Sequence, residues 1–196
     1  MQGMPMLELN RGIYTLYKNI YENKIIRRLA EIAIVTFGDE GVSCCKEFDE
    51  KILTPPVLNT GGMTPMGEAV NLALDMIEAR VNAYSEVGCQ YYTPWLVLMT
   101  DGCPNGSIIE LHRAIDRVNE LVNNNELTIL PIAVGSGADI EILKNFSPNL
   151  RPMMLKDLNF AELFDWVCEN IANIAASSPG GKYMLTDVSA WGETSY

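Results

Sequence analysis

The seven residues Pro94-Trp95-Leu96-Val97-Leu98-Met99-Thr100 carry no charge and stop abruptly at Asp101-Gly102-Cys103-Pro104-Asn105-Gly106. A continuous apolar run of this length, closed by turn-forming residues, reads as a β-strand buried on both faces. A second run, Leu127 to Val134 (LTILPIAV), closes in the same way at Gly135-Ser136-Gly137. Between the two, residues from Ser107 to about Asn123 repeat their apolar positions at helical spacing, with Ser107 placed to cap the first turn. Two buried strands joined through a helix form a parallel pair, because an antiparallel pair needs only a short turn.

The same alternation extends along the chain. Pro5 opens a helical stretch in which Leu7, Leu9, Ile13, Leu16, Tyr17 and Ile20 recur to about Asn23. Ala30 to Phe37 and Val42 to Phe48 are β-branched runs separated by a short polar turn, which predicts a hairpin. The loop Asn59 to Pro65 feeds a helix with Met66, Val70, Leu72, Ala73, Met76, Ile77 and Val81 on its apolar side. Asp139 to Asn145 reads as a short helix, Pro152 to Leu155 as a short strand, and Asn159 to Ala175 as the last helix. The expected fold class is α/β: a doubly wound, mostly parallel sheet flanked by helices on both faces, with one antiparallel edge strand. Residues 1–176 read as one domain and 177–196 as a small, polar tail, within which 182–188 has the composition of a strand.

Composition narrows the functions open to such a fold. The net charge of −11 repels phosphate backbones and anionic lipid, so neither nucleic acid nor membrane is an expected partner. No apolar stretch approaches the ~20 residues that span a bilayer, and the first residues lack the pattern of a signal peptide. Five cysteines, two of them adjacent and none in a CxxC pair, suggest reduced thiols and a cytoplasmic setting. His112, in a helix with no second histidine at i+4, suggests no zinc site, and Gly135-Ser136-Gly137 reads as a tight turn. The chain has no phosphate-binding GxxxxGK[ST] loop, no complete GxGxxG and no nucleophile elbow. An enzyme is therefore not expected; the alternative is a doubly wound enzyme that binds a phosphate or nucleotide at the strand ends.

In doubly wound sheets, ligands sit beyond the carboxyl ends of the strands. Two candidate residues fall there: Thr64, a hydroxyl beside a helix start, and Asp101, a carboxylate straight after a buried strand. Hydroxyl and carboxylate oxygens together suit a hard cation such as Mg²⁺, with Mn²⁺ or Ca²⁺ as alternates. Without a metal, Thr64 reads as a capping hydroxyl and Asp101 as a turn residue.

The segments carrying these two residues resemble a known family. Thr60-Gly61-Gly62-Met63-Thr64-Pro65-Met66-Gly67-Glu68-Ala69 is similar to the second metal loop of von Willebrand factor A (VWA) domains, and Leu98-Met99-Thr100-Asp101-Gly102-Cys103-Pro104 to their third. The order of elements up to about residue 176 also matches. The nearest subgroup looks like the bacterial stand-alone TerY-like and YegL-like proteins, associated with tellurium resistance and stress responses. The resemblance implies a metal-ion-dependent adhesion site (MIDAS) in which Thr64 and Asp101 help to hold Mg²⁺ and an acidic side chain from a protein partner completes its coordination.

The chain departs from the family at the first metal loop, Asp-x-Ser-x-Ser, and at the central strand preceding it. Both would lie ahead of Met1. The expectation is a late-called start or a fragment, with a metal site incomplete as it stands. The alternative is that the tail fills the central slot, so that Asp187 and Ser189 become additional metal ligands. A third reading keeps the interaction surface and dispenses with the cation, as a metal-independent scaffold.

Overall fold

A computed structural model describes residues 1–38, 41–48, 54–176 and 184–194. In chain order the elements are α1 (Met4–Glu22), α2 (Ile26–Leu29), β1 (Ile34–Gly38), β2 (Gly41–Lys46), α3 (Met66–Glu86), β3 (Trp95–Thr100), α4 (Ile108–Asn123), β4 (Thr128–Val134), α5 (Ile140–Asn145), β5 (Met153–Leu155), α6 (Phe160–Ala175) and β6 (Gly192–Thr194). The fold is α/β, as the alternation predicts. Strands β3, β4, β5 and β6 are hydrogen-bonded in that order in a mostly parallel sheet with one antiparallel edge, and β1 and β2 form a separate hairpin. The β3–β4 pair is parallel, in register from Trp95 opposite Thr128 to Thr100 opposite Ala133.

The chain divides into two compact units. The first comprises residues 1–36, 44–60 and 155–193. Its core lies between α1 and α6. Leu9, Ile13, Leu16, Tyr17 and Ile20 line the buried side of α1, and Phe160, Leu163, Phe164 and Val167 that of α6. Gly12 lets the helices approach: a Cβ there would lie 2.8 Å from Phe160 Cβ and from the Phe164 ring. The Asn10 side chain fixes residue 58 to α1, its amide donating to Leu58 O at 3.0 Å and its Oδ1 accepting the Leu58 N–H at 2.8 Å.

The second unit comprises residues 37–43, 61–154 and 194–196. Here α3 and α4 pack on one another and on the β3–β4 pair around Met66, Val70, Leu74, Leu98, Leu111, Ala114, Val118, Ile129 and Ala133. Gly67 sets the α3–α4 separation, since a Cβ would fall 2.3 Å from Leu111 N. Ser107 caps α4 as read, its Oγ accepting the Glu110 N–H, and the Asp139 carboxylate caps α5 by accepting that of Ile142.

Three expectations need correction. The first strand begins at Ile34, not Ala30, because the Ala30 N–H closes α2 on Ile26 O at 2.8 Å. The strand expected over 182–188 is not formed in its described part, 184–188. There the backbone of Thr186 is taken by side chains of α6: its N–H donates to Asn170 Oδ1, and its carbonyl accepts from Trp166 Nε1. The strand that the tail does supply, β6, is hydrogen-bonded next to β5 at the end of the sheet, so it occupies no central position. Nor is this segment loose, because Trp191 is fully buried, 5.2 Å from the Trp166 ring.

Candidate functional site

Beyond the carboxyl ends of β3 and β4, four backbone segments of the second unit converge. The loop before α3 carries Thr64, the loop after β3 carries Asp101 and Asn105, the loop after β4 carries Gly137, and β1 ends at Gly38. Glycines permit the approach. A Cβ at Gly102 would meet Thr64 Oγ1 at 3.5 Å, an ordinary contact, which places the Thr64 hydroxyl against the residue following Asp101. A Cβ at Gly137 would lie 2.6 Å from Asp101 O, and one at Gly38 would lie 3.0 Å from Gly61 Cα. Larger residues at 137 would displace the Asp101 backbone.

Hydrogen bonds lock the first two loops together. The Thr64 N–H donates to Asn105 Oδ1 at 2.6 Å, and the Asn105 N–H returns to Thr64 O at 3.1 Å, where the Met66 N–H also donates at 2.8 Å. Three residues into α3, Glu68 reaches under the second loop and accepts the Ser107 N–H at 2.7 Å through Oε1. That places a carboxylate at the positive end of α4, a favourable charge–dipole arrangement. Gly106 makes room for it, since a Cβ there would meet the Glu68 oxygens at 2.6 and 2.7 Å. Further along, Asn71 donates to Glu110 and accepts from Arg117, so polar contacts continue along the α3–α4 seam. Thr100 is buried and closes the turn after β3 by exchanging hydrogen bonds with Gly102.

Thr64 is half-buried and Asp101 exposed. A carboxylate in that position is solvated by water, so the desolvation cost of a buried acid does not require it to hold a cation. Both side chains supply hard oxygen donors of the kind that suit Mg²⁺. Among the described residues no three His, Cys, Asp or Glu side chains gather in a metal-binding group. Thr64 and Asp101 would supply two protein oxygens at most, and water or a partner would have to fill the remaining positions around an ion.

Asp187 and Ser189 belong to the first unit and are paired with each other, the Ser189 hydroxyl donating to Asp187 Oδ2. Hydrogen bonds from the Ser189 side chain and backbone, aided by Val188 N–H and by Lys156, hold the Asp187 carboxyl below its usual range. Of the other residues singled out, His112 is exposed on α4, and Cys103 Sγ lies 3.8 Å from Gly137 O. Burial pushes the Cys44 and Cys45 thiols up, which leaves less thiolate for redox chemistry. Asn105 and Glu68 are the residues that sequence reasoning missed. Asn105 was visible only as part of a turn cluster, and Glu68 as an acid in the first turn of a helix.

Large apolar side chains stand exposed around these loops: Met63 next to Thr64, and Ile108 and Ile109 in the first turn of α4, the last 74% exposed. No helix among the described residues is long and apolar enough to cross a membrane.

No family model matches the chain, and no curated protein matches it. Two structures of proximal thread matrix protein 1 from the mussel byssus, one of them in crystal form 2, are similar to it. Both are 17% identical in sequence with a TM-score of 0.55 over 84% of this chain. The chain spans less than half of theirs, 43% in one and 42% in the other. At this identity the likeness is one of fold alone.

Proposed function

We propose that the chain is a non-catalytic protein-interaction module. Its strand-end loops, through a hydrated Mg²⁺ on Thr64 and Asp101, receive an acidic side chain from a protein partner. The observation that carries this reading is the locking of the two loops: the Thr64 hydroxyl lies against Gly102, and Asn105 holds the Thr64 backbone at 2.6 and 3.1 Å. Two oxygen donors on hydrogen-bonded backbone, at the edge of a doubly wound sheet where ligands sit, support the reading; water and the partner's carboxylate would complete the shell. By the resemblance of the same loops, its setting is a cytoplasmic stress response, tellurium resistance included, or signalling.

With two protein ligands the ion binds weakly and exchanges fast, so a local spectroscopic probe suits it better than a titration of heat. Mn²⁺ added at substoichiometric amounts to ¹⁵N-labelled protein is expected to broaden the amide signals of Thr64, Asp101 and Gly102 first. Asp101→Ala is expected to abolish that local broadening. A chain of net charge −11 attracts cations everywhere, so broadening spread evenly over the acidic surface would refute the reading. A metal-independent scaffold is the second reading, favoured by the exposed Met63, Ile108 and Ile109 beside the loops. The two part on whether a captured partner is released by EDTA.

A further inference from the structure

We propose that Asn105 is a positioning residue. It sets the Thr64 backbone, and through it the Thr64 hydroxyl, relative to the loop that carries Asp101. Its importance for a cation rests on the function proposed above; its effect on the loop does not. Both backbone polar groups of Thr64 are engaged, the N–H by Asn105 Oδ1 at 2.6 Å and the carbonyl by the N–H groups of Asn105 and Met66. With its two flanking peptide planes held, the Thr64 Cβ is fixed in place, and its Oγ1 lies 3.5 Å from where a Cβ at Gly102 would stand.

Asn105 is itself held from the other end. Gly106 lacks the side chain that would collide with Glu68, so the carboxylate can accept the Ser107 N–H at 2.7 Å. Ser107 in turn caps α4. The chain from Asn105 to Ile108 is thereby tied to the loop before α3 at Thr64 and to α3 itself at Glu68. An acceptor oxygen at position 105 is the chemical requirement. Asparagine supplies it without placing another negative charge on an acidic surface.

Amide exchange of the full chain tests this directly. Asn105→Ala is expected to raise the exchange rate of the Thr64 amide about tenfold, the factor that one net hydrogen bond represents. The β4 amides should keep their protection. Asn105→Asp preserves the acceptor and is expected to restore slow exchange at Thr64, whereas Asn105→Leu, which fills similar space without an acceptor, is not. Exchange at Thr64 within twofold of the parent in Asn105→Ala, with β4 intact, would overturn the proposal. If Asn105→Ala loses β4 protection, the Asp variant decides: Thr64 protected supports the role, and Thr64 unprotected in a folded chain refutes it. Local Mn²⁺ broadening in the same samples is expected to weaken in Asn105→Ala. Its absence from the parent chain would remove the cation reading, while the exchange result would still decide the role of Asn105.

Discussion

Gly67→Ala separates two contributions of opposite sign. Residue 67 is the second residue of α3. By helix propensity alone, alanine there should stabilise the chain by up to ~1 kcal/mol. The packing predicts the reverse. The new Cβ would lie 2.3 Å from Leu111 N, 2.4 Å from Leu111 Cα and 2.5 Å from Glu110 C, against ordinary contacts that begin at 3.4 Å. These atoms are helix backbone and have no rotamer by which to escape, so α3 and α4 must separate by about 1 Å at this point, a gap that costs each facing pair a quarter to a half of its dispersion energy. The pairs affected include Met66, Val70 and Leu74 on one side and Leu111, Ala114 and Val118 on the other, all buried. Overpacking of this kind costs ~1–3 kcal/mol or more. After the propensity gain we expect a net loss of ~1–2 kcal/mol, which lowers the urea midpoint by about 0.5–1 M at a typical slope. Urea unfolding followed by far-ultraviolet circular dichroism measures it. A midpoint equal to or above that of the parent would show that α3 and α4 do not touch at Gly67, and with it the Glu68–Ser107 contact would lose its support.

Trp191→Ala removes a fully buried indole and is expected to cost ~3–5 kcal/mol, read as a drop in thermal midpoint; an unchanged midpoint would mean that the tail does not dock. Cys168 should give an alkaline signature. Burial, with Asp165 adding repulsion, pushes its thiol up to about 11 from the ordinary 9.0. The unfolded chain therefore loses this proton first. The stabilisation is complete below pH 9 and is lost as the pH rises from 9 to 11. Cys168→Ala should flatten the fall in urea midpoint across that window, and an identical fall in both proteins would exclude the thiol as its source.

The parallel core was legible because β3 and β4 are uncharged runs ended by turn residues, and because Ser107 stands where a cap belongs. Thr64 and Asp101 could be singled out as candidates for a related reason: a strand end in this fold class is a place where ligands sit. Asn105 and Glu68 could not. Their partners lie 41 and 39 residues away, and a short polar side chain in a turn gives no sign of which distant backbone it will meet. The strand expected at 182–188 failed for a similar reason. Its composition suits a strand, but Asn170 and Trp166 compete for the Thr186 backbone and win within the described residues. The burial of Trp191 could not be read either: a single aromatic among small neighbours has no periodicity from which burial follows.

The glycines at 106 and 137 leave almost no room for any other residue, whereas Met63, Ile108 and Ile109 point into solvent on the same loops. Substitution is therefore penalised unequally over a few ångströms of surface. Drift at the exposed positions can retune what the loops attract without moving the backbone that supports them. A set of descendants could diverge in preference while the geometry beneath stayed fixed, and a binder engineered on this chain would begin by varying those three side chains.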